Sequence, residues 1–90
     1  MIELINEVGF VLSFDGRVLE MFSSTGTRIH VRHVKRVKLK ERKGKYELSV
    51  ESLVGQLVMM MKIDPSQRPV IDQLLAALNA ARPGEIEFKS

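Results

Sequence analysis

Hydrophobic residues recur at every second position in a series of short runs between Ile2 and Ile63, and from Val70 onward at every third or fourth. A period of two places alternate side chains on opposite faces of a strand, whereas a period near 3.6 gathers them on one face of a helix. The pattern therefore predicts a succession of strands followed by one helix. Residues 2–5 form a short first strand ended by Asn6 and Gly9. Residues 10–14 and 17–22 flank Asp15-Gly16, a dipeptide suited to the positive φ angles of a two-residue hairpin turn. That turn would set Leu12 opposite Leu19 and Phe10 opposite Met21, with Phe10, Leu12, Phe14, Leu19 and Met21 on one apolar face. Val11, Val18 and Phe22 point the other way, beside Ser13 and Glu20. Residues 23–26, Ser-Ser-Thr-Gly, have turn chemistry. Residues 28–32 alternate again, with Ile29 and Val31 inward.

The centre of the chain is a second hairpin turning at Lys43-Gly44. Its register puts Val37, Leu39, Tyr46, Leu48 and Val50 on a core face and Arg36, Lys38, Lys40, Glu47, Ser49 and Glu51 on a solvent face. On that outer face Lys40 opposes Glu47 and Arg36 opposes Glu51, pairs of opposite charge that favour this register. After a turn or bulge at 52–55, residues 56–63 read as a strand with Leu57, Met59, Met61 and Ile63 inward and Val58 and Met60 outward. The methionines lack the companion soft ligands of a metal site and read as core filling. At Asp64-Pro65-Ser66 the period changes. Asp64 or Ser66 can accept hydrogen bonds from the first helical amides, and proline is tolerated in the first turn. Val70, Ile71, Leu74, Leu75, Leu78 and Ala81 then share one arc, and Arg82-Pro83-Gly84 stops the helix.

The expected fold is α+β: an antiparallel bent sheet or partly open barrel of six or seven strands, capped by one C-terminal amphipathic helix. This element order over residues 2–82 resembles the pleckstrin-homology-like superfold, as a short bacterial-type or divergent member. The resemblance rests on the order of elements and implies a non-catalytic scaffold for binding lipids, peptides or proteins. Members that bind inositol phosphates draw on basic residues between their first two strands. The corresponding connection here, Asn6-Glu7-Val8-Gly9, has no Lys or Arg. Residues 1–84 are expected as one such domain and 85–90 as a C-terminal tail.

Charge is distributed unevenly along the chain. Nine basic residues and one acid, Glu41, fall between Thr27 and Lys45, a local charge of +8 in a chain of net +3. One side of the molecule should be electropositive and another mildly acidic. Arg28, Arg32, Arg36, Lys38, Lys40, Arg42, Lys43 and Lys45 are the candidate surface for an anionic partner. The same run is also what a solvated strand face needs to resist edge-to-edge association. Val11, Val18, Val58 and Met60, apolar but outward, are the candidate surface for self-association. The expected function is a non-enzymatic binding or self-assembly module that contacts a protein partner or a second copy through its sheet surface. The alternative is nonspecific attachment to an anionic surface, lipid headgroups before nucleic acid, because the basic strands lack interleaved aromatics that stack on bases.

No catalytic, metal-binding or cofactor-binding residues emerge, and no small-molecule substrate is evident. His30 and His33 stand three apart in or beside a strand, which directs them to opposite faces rather than to one metal. No serine has a nucleophile-elbow context, and no glycine run forms a phosphate loop. With no cysteine, no cleavable signal pattern and no hydrophobic run of membrane-spanning length, the expected location is cytoplasmic, with the membrane periphery as a second possibility.

Overall fold

In the computed structural model, which describes residues 1–23 and 26–90, the alternating runs become two four-stranded sheets around one apolar core. The first sheet contains β1 (Ile2–Ile5), β2 (Val11–Phe14), β3 (Val18–Phe22) and β4 (Gly26–His30) in chain order, all antiparallel. A 3-10 turn, Val31–His33, leads into the second sheet. That sheet has the order β7-β6-β5-β8, from β5 (Val34–Arg42), β6 (Lys45–Ser52), β7 (Leu57–Ile63) and β8 (Glu87–Lys89). The helix α1 (Arg68–Ala81) follows a 3-10 turn at Pro65–Gln67. The sheets are not closed into a barrel. No helix among the described residues is long and apolar enough to cross a membrane.

The central hairpin forms in the register that its sequence pattern specifies. Arg42 pairs with Lys45, Lys40 with Glu47, Leu39 with Leu48 and Arg36 with Glu51. The turn needs positive φ at both central residues, and Lys43 (50°) and Gly44 (76°) adopt it. Val37, Leu39, Leu48 and Val50 are buried as a result, and Tyr46 is half-buried at the hairpin end.

The first hairpin differs from expectation by two residues: Phe14 pairs with Leu19 and Leu12 with Met21. Asp15 is the cause. Its carboxylate accepts hydrogen bonds from the amides of both Arg17 and Val18, each at 2.8 Å, and holds Asp15 to Val18 as a wider loop. A shift of two preserves the faces, so Leu12, Phe14 and Leu19 are still buried. Of the expected turn at 23–26, residues 24 and 25 lie outside the described residues, and Gly26 already pairs with Phe22 in β4. The strand expected over 28–32 ends at His30, but Ile29 and Val31 are both buried as expected.

Two irregularities change which way side chains face. Between β6 and β7 the register passes from Val50 with Met59 to Glu51 with Leu57, leaving Val58 as the extra residue of a bulge. Leu57, expected inside, therefore lies outside and is 59% exposed, while Val58, expected outside, is half-buried against the core. Between β5 and β6 the register shifts from Val34 to Arg36, which leaves exposed Lys35 in the irregularity.

Helix α1 closes the core with Ile71, Leu74 and Leu78, while Ala81 is exposed at its last turn. Asp64 caps the preceding 3-10 turn by accepting the Ser66 amide at 2.9 Å; α1 itself has no side-chain cap. At its start, Gln67 accepts from the Ile5 amide and donates to the Ile5 carbonyl on β1. Arg68 sits 5.1 Å from the Tyr46 ring centroid, within cation–π range. Beyond its end, Arg82 donates to the carbonyls of Val31 (3.0 Å) and Val34 (2.6 Å) at the junction of the two sheets. The sequence identified Arg82 only as part of a stop signal. Residues 85–90, expected as a tail, are docked: Ile86 is buried, and β8 pairs in parallel with β5, Arg36 with Glu87 and Lys38 with Lys89.

Leu74→Ala is expected to destabilise the protein by about 2–5 kcal/mol, through lost burial and an unfilled cavity. Arg82→Ala should cost about 1–3 kcal/mol by leaving two backbone carbonyls without their donor. Urea denaturation followed by circular dichroism measures both.

Candidate functional site

The eight basic residues identified in the sequence do not form one surface. Arg28 lies on the first sheet, where it meets its cross-strand partner Glu20 at 3.5 Å. Arg36 is held between Glu51 (3.4 Å) and Glu87 (2.9 Å), and Lys38 reaches Glu51 at 3.5 Å. The Arg36–Glu51 pair forms as expected. Lys40 stands beside Glu47 in the ladder, but no ion pair forms within 4.0 Å among the described residues. Arg32, Lys40, Arg42 and Lys43 have no ion-pair partner among the described residues, and neither do Lys35 and Lys62. A basic strand face divides in this way because every second residue of β6 on that face is Glu47 or Glu51, or Ser49 between them. Cations beside Glu51 are answered, and of those at the hairpin tip Arg42 and Lys43 are not.

The four residues proposed for self-association are likewise separated. Val11 and Val18 are half-buried on the outer face of the first sheet. Val58 is turned inward by the bulge, and Met60, 47% exposed, lies on the second sheet. The apolar surface around Val11 is completed instead by its ladder partners Ile5 (54% exposed) and Phe22 (52% exposed). The alternation already placed Phe22 outward; Ile5 became visible only once β1 was paired.

Arg42, Lys43 and Lys45 do converge, with Lys62, on a cleft of about 610 Å³. One wall is the connection between β1 and β2. There Asn6 accepts from the amides of Val8 (3.2 Å) and Phe10 (2.9 Å), and its own amide donates to the Phe10 carbonyl at 3.0 Å. The opposite wall is the tip of the β5–β6 hairpin, and Phe10, Tyr46, Met60 and Met61 also line the cleft. Lys45 bridges the walls through ion pairs with Glu7 and with Asp64, the latter at 3.8 Å. Its hydrogen bond to Glu7 raises the ammonium above its ordinary pKa, with Asp64 adding to the effect. Asp64 is held below the usual carboxylate range, first by the Ser66 amide and then by Lys45. The cleft thus combines an apolar lining, Lys45 held by Glu7 and Asp64, the carboxylate of Glu47, which stands opposite Lys62 in the ladder, and three cations, Arg42, Lys43 and Lys62, without ion-pair partners among the described residues. What this arrangement offers chemically is recognition of a ligand that carries both negative charge and an apolar group. The sequence reading lacked Lys62 and the wall formed by 6–8, since neither adjoins the basic run in the chain.

His30 and His33 also sit differently from expectation. Because Val31–His33 is a 3-10 turn, their rings meet edge to face with centroids 6.2 Å apart. His30 Nδ1 accepts from the Arg32 amide at 3.2 Å, so that nitrogen is already engaged within the turn.

The Arg36–Glu87 pair ties β8 to β5 and has a defined pH dependence. Hydrogen bonding to Arg36, with help from Lys89, lowers the Glu87 carboxyl below its ordinary 4.5. A group whose folded pKa is depressed contributes stability that is full above the unfolded value and is lost as pH falls through the folded one. Amide exchange of Phe88 and Lys89 is therefore expected to accelerate as pH drops below about 4.5, after correction for intrinsic rates. In Glu87→Gln this acid-dependent component should be absent.

No protein-family model, curated protein or solved structure matches the chain.

Proposed function

We propose that this chain is a non-enzymatic binding module on a pleckstrin-homology-like plan, and that it captures an acidic protein segment in the cleft between the β1–β2 connection and the β5–β6 hairpin. As many as seven antiparallel strands followed by one helix is the element order that suggested the plan, and β8 is an addition to it. The reading is carried by one observation: Arg42, Lys43 and Lys62 lack ion-pair partners among the described residues and line the same cleft as Phe10, Tyr46 and Met60. Cations kept only for solubility need no apolar groove beside them. An extended segment with one aliphatic or aromatic side chain in the groove and carboxylates on either side would satisfy both kinds of surface. Aromatic and aliphatic anchors supply most of the energy in such contacts, while complementary charge sets the encounter rate and the choice of partner.

Short synthetic peptides with a central Leu or Phe flanked by Glu, presented as an array beside versions with Lys or Gln flanks, test the reading. The protein should retain the acidic set, less strongly as salt rises. The double variant Arg42→Glu/Lys43→Glu, at exposed positions at the end of β5 and in its turn, should reduce that retention roughly tenfold or more. Equal capture of all three sets, or unchanged capture by the double variant, would overturn it.

A further inference from the structure

The turn joining β6 to β7 is built from the wrong residues for a solvated turn. Residues 53–57, Leu-Val-Gly-Gln-Leu, are all exposed: Leu53 is 52%, Val54 81% and Leu57 59% accessible. Surface turns normally recruit polar or conformationally special residues, and here Gly55, at φ 82°, and Gln56 meet that description while Leu53, Val54 and Leu57 do not. The turn is also well fixed. The Ser52 amide donates to the Gln56 carbonyl and the Gly55 amide to the Ser52 carbonyl, each at 2.9 Å. The Leu53 amide donates to the His33 carbonyl at 2.9 Å, which anchors the turn to the 3-10 segment carrying Arg32. The bulge at the start of β5 exposes Lys35 beside it, next to the Val34–Ser52 pair. The Val31 amide donates to the Arg17 carbonyl at 2.7 Å, bringing the β2–β3 loop to the same end of the molecule. Arg17, Arg32 and Lys35 are exposed and have no ion-pair partner among the described residues. Glu51, the nearest acid along β6, is already engaged by Arg36 and Lys38.

We propose that this turn is a membrane-contact tip: Leu53, Val54 and Leu57 enter the interfacial layer of a bilayer, and Arg32 and Lys35 meet its anionic headgroups. Exposed aliphatics with cations at their base are the two components of peripheral membrane attachment, apolar burial and attraction to anionic lipid. A four-residue turn with the first residue of β7 is a small surface for a protein interface, which covers about 800 Å² on each partner; a fluid lipid surface closes around a small exposed tip. The tip and the cleft lie at opposite ends of β5, whose nine residues span roughly 25 Å at about 3.3 Å each. A molecule attached through the tip would therefore keep its cleft open to a partner.

Sedimentation with vesicles of phosphatidylcholine alone, or of phosphatidylcholine with phosphatidylserine, tests the proposal on the whole chain. Binding to the phosphatidylserine vesicles is expected, weakening as salt rises. Leu53→Ser/Val54→Ser should lower partitioning by tenfold or more, at unchanged thermal stability, on the order expected for aliphatic burial. Arg32→Gln and Lys35→Gln should each lower it roughly fivefold. Val54→Trp, in a chain without tryptophan, should shift its emission to the blue on phosphatidylserine vesicles. Arg42→Glu/Lys43→Glu, at the far end, should bind vesicles as the wild type does, which separates this test from that of the cleft. The proposal fails if the wild type does not sediment or if Leu53→Ser/Val54→Ser sediments equally well. Loss of binding in the hairpin-tip variant would assign attachment to general basic charge and also overturn it. Self-association that Leu53→Ser/Val54→Ser abolishes, without vesicle binding, would give the tip to a second copy.

Discussion

The pairing of β5 with β6 is the constraint from which the rest of the molecule follows. These are its two longest strands, and they are joined by two residues that both have positive φ, Lys43 and Gly44. Such a turn matches the natural twist of the strands and admits one register; a slip of one residue would turn Val37, Leu39, Leu48 and Val50 into water and bring Lys38 and Lys40 inside. With the register set, the inner face can be covered by the first sheet and α1. The outer face then receives its order of charges from the sequence alone.

That order explains how an electropositive segment separates into structural and available cations. Glu51 draws in Arg36 and Lys38, and Glu87 adds a second carboxylate to Arg36 from the end of the chain. At the hairpin tip Glu41 and Glu47 form no ion pair among the described residues. Lys45 alone is satisfied, through Glu7 and Asp64 from two other parts of the fold, and the bridge it makes holds the cleft walls in position. Exposed ion pairs of this kind contribute modestly to stability. Their larger effect here is on which positive charges are left for something else.

The two register irregularities, at Lys35 and at Val58, lie at the other end of the same hairpin. A bulge adds a residue to one strand and reverses the facing of what comes before it. Here that exposes a lysine and a leucine beside an already apolar turn, while Val58 is moved toward the core. A strand segment without bulges would have buried Leu57 and left this end of the sheet far less apolar.

Some of this architecture was decided by local chemistry and could be read from the chain. Alternation and turn residues determined the central hairpin to the residue, the inward set of β2 and β3, the helix after Asp64 and its buried residues Ile71, Leu74 and Leu78. These depend on side-chain period and backbone φ, which are properties of short segments. The first hairpin's register was not legible, because the Asp15 carboxylate accepts hydrogen bonds from the Arg17 and Val18 amides and widens its loop. Tertiary structure alone decided the matters that join distant segments: two sheets in place of one bent sheet, Arg82 holding their junction, and β8 lying along β5. The cleft belongs with these, since Glu7, Lys45, Lys62 and Asp64 come together only when three separate stretches of chain have packed. Charge and hydrophobicity can be counted along a sequence, but whether a charge keeps a partner depends on which strands become neighbours.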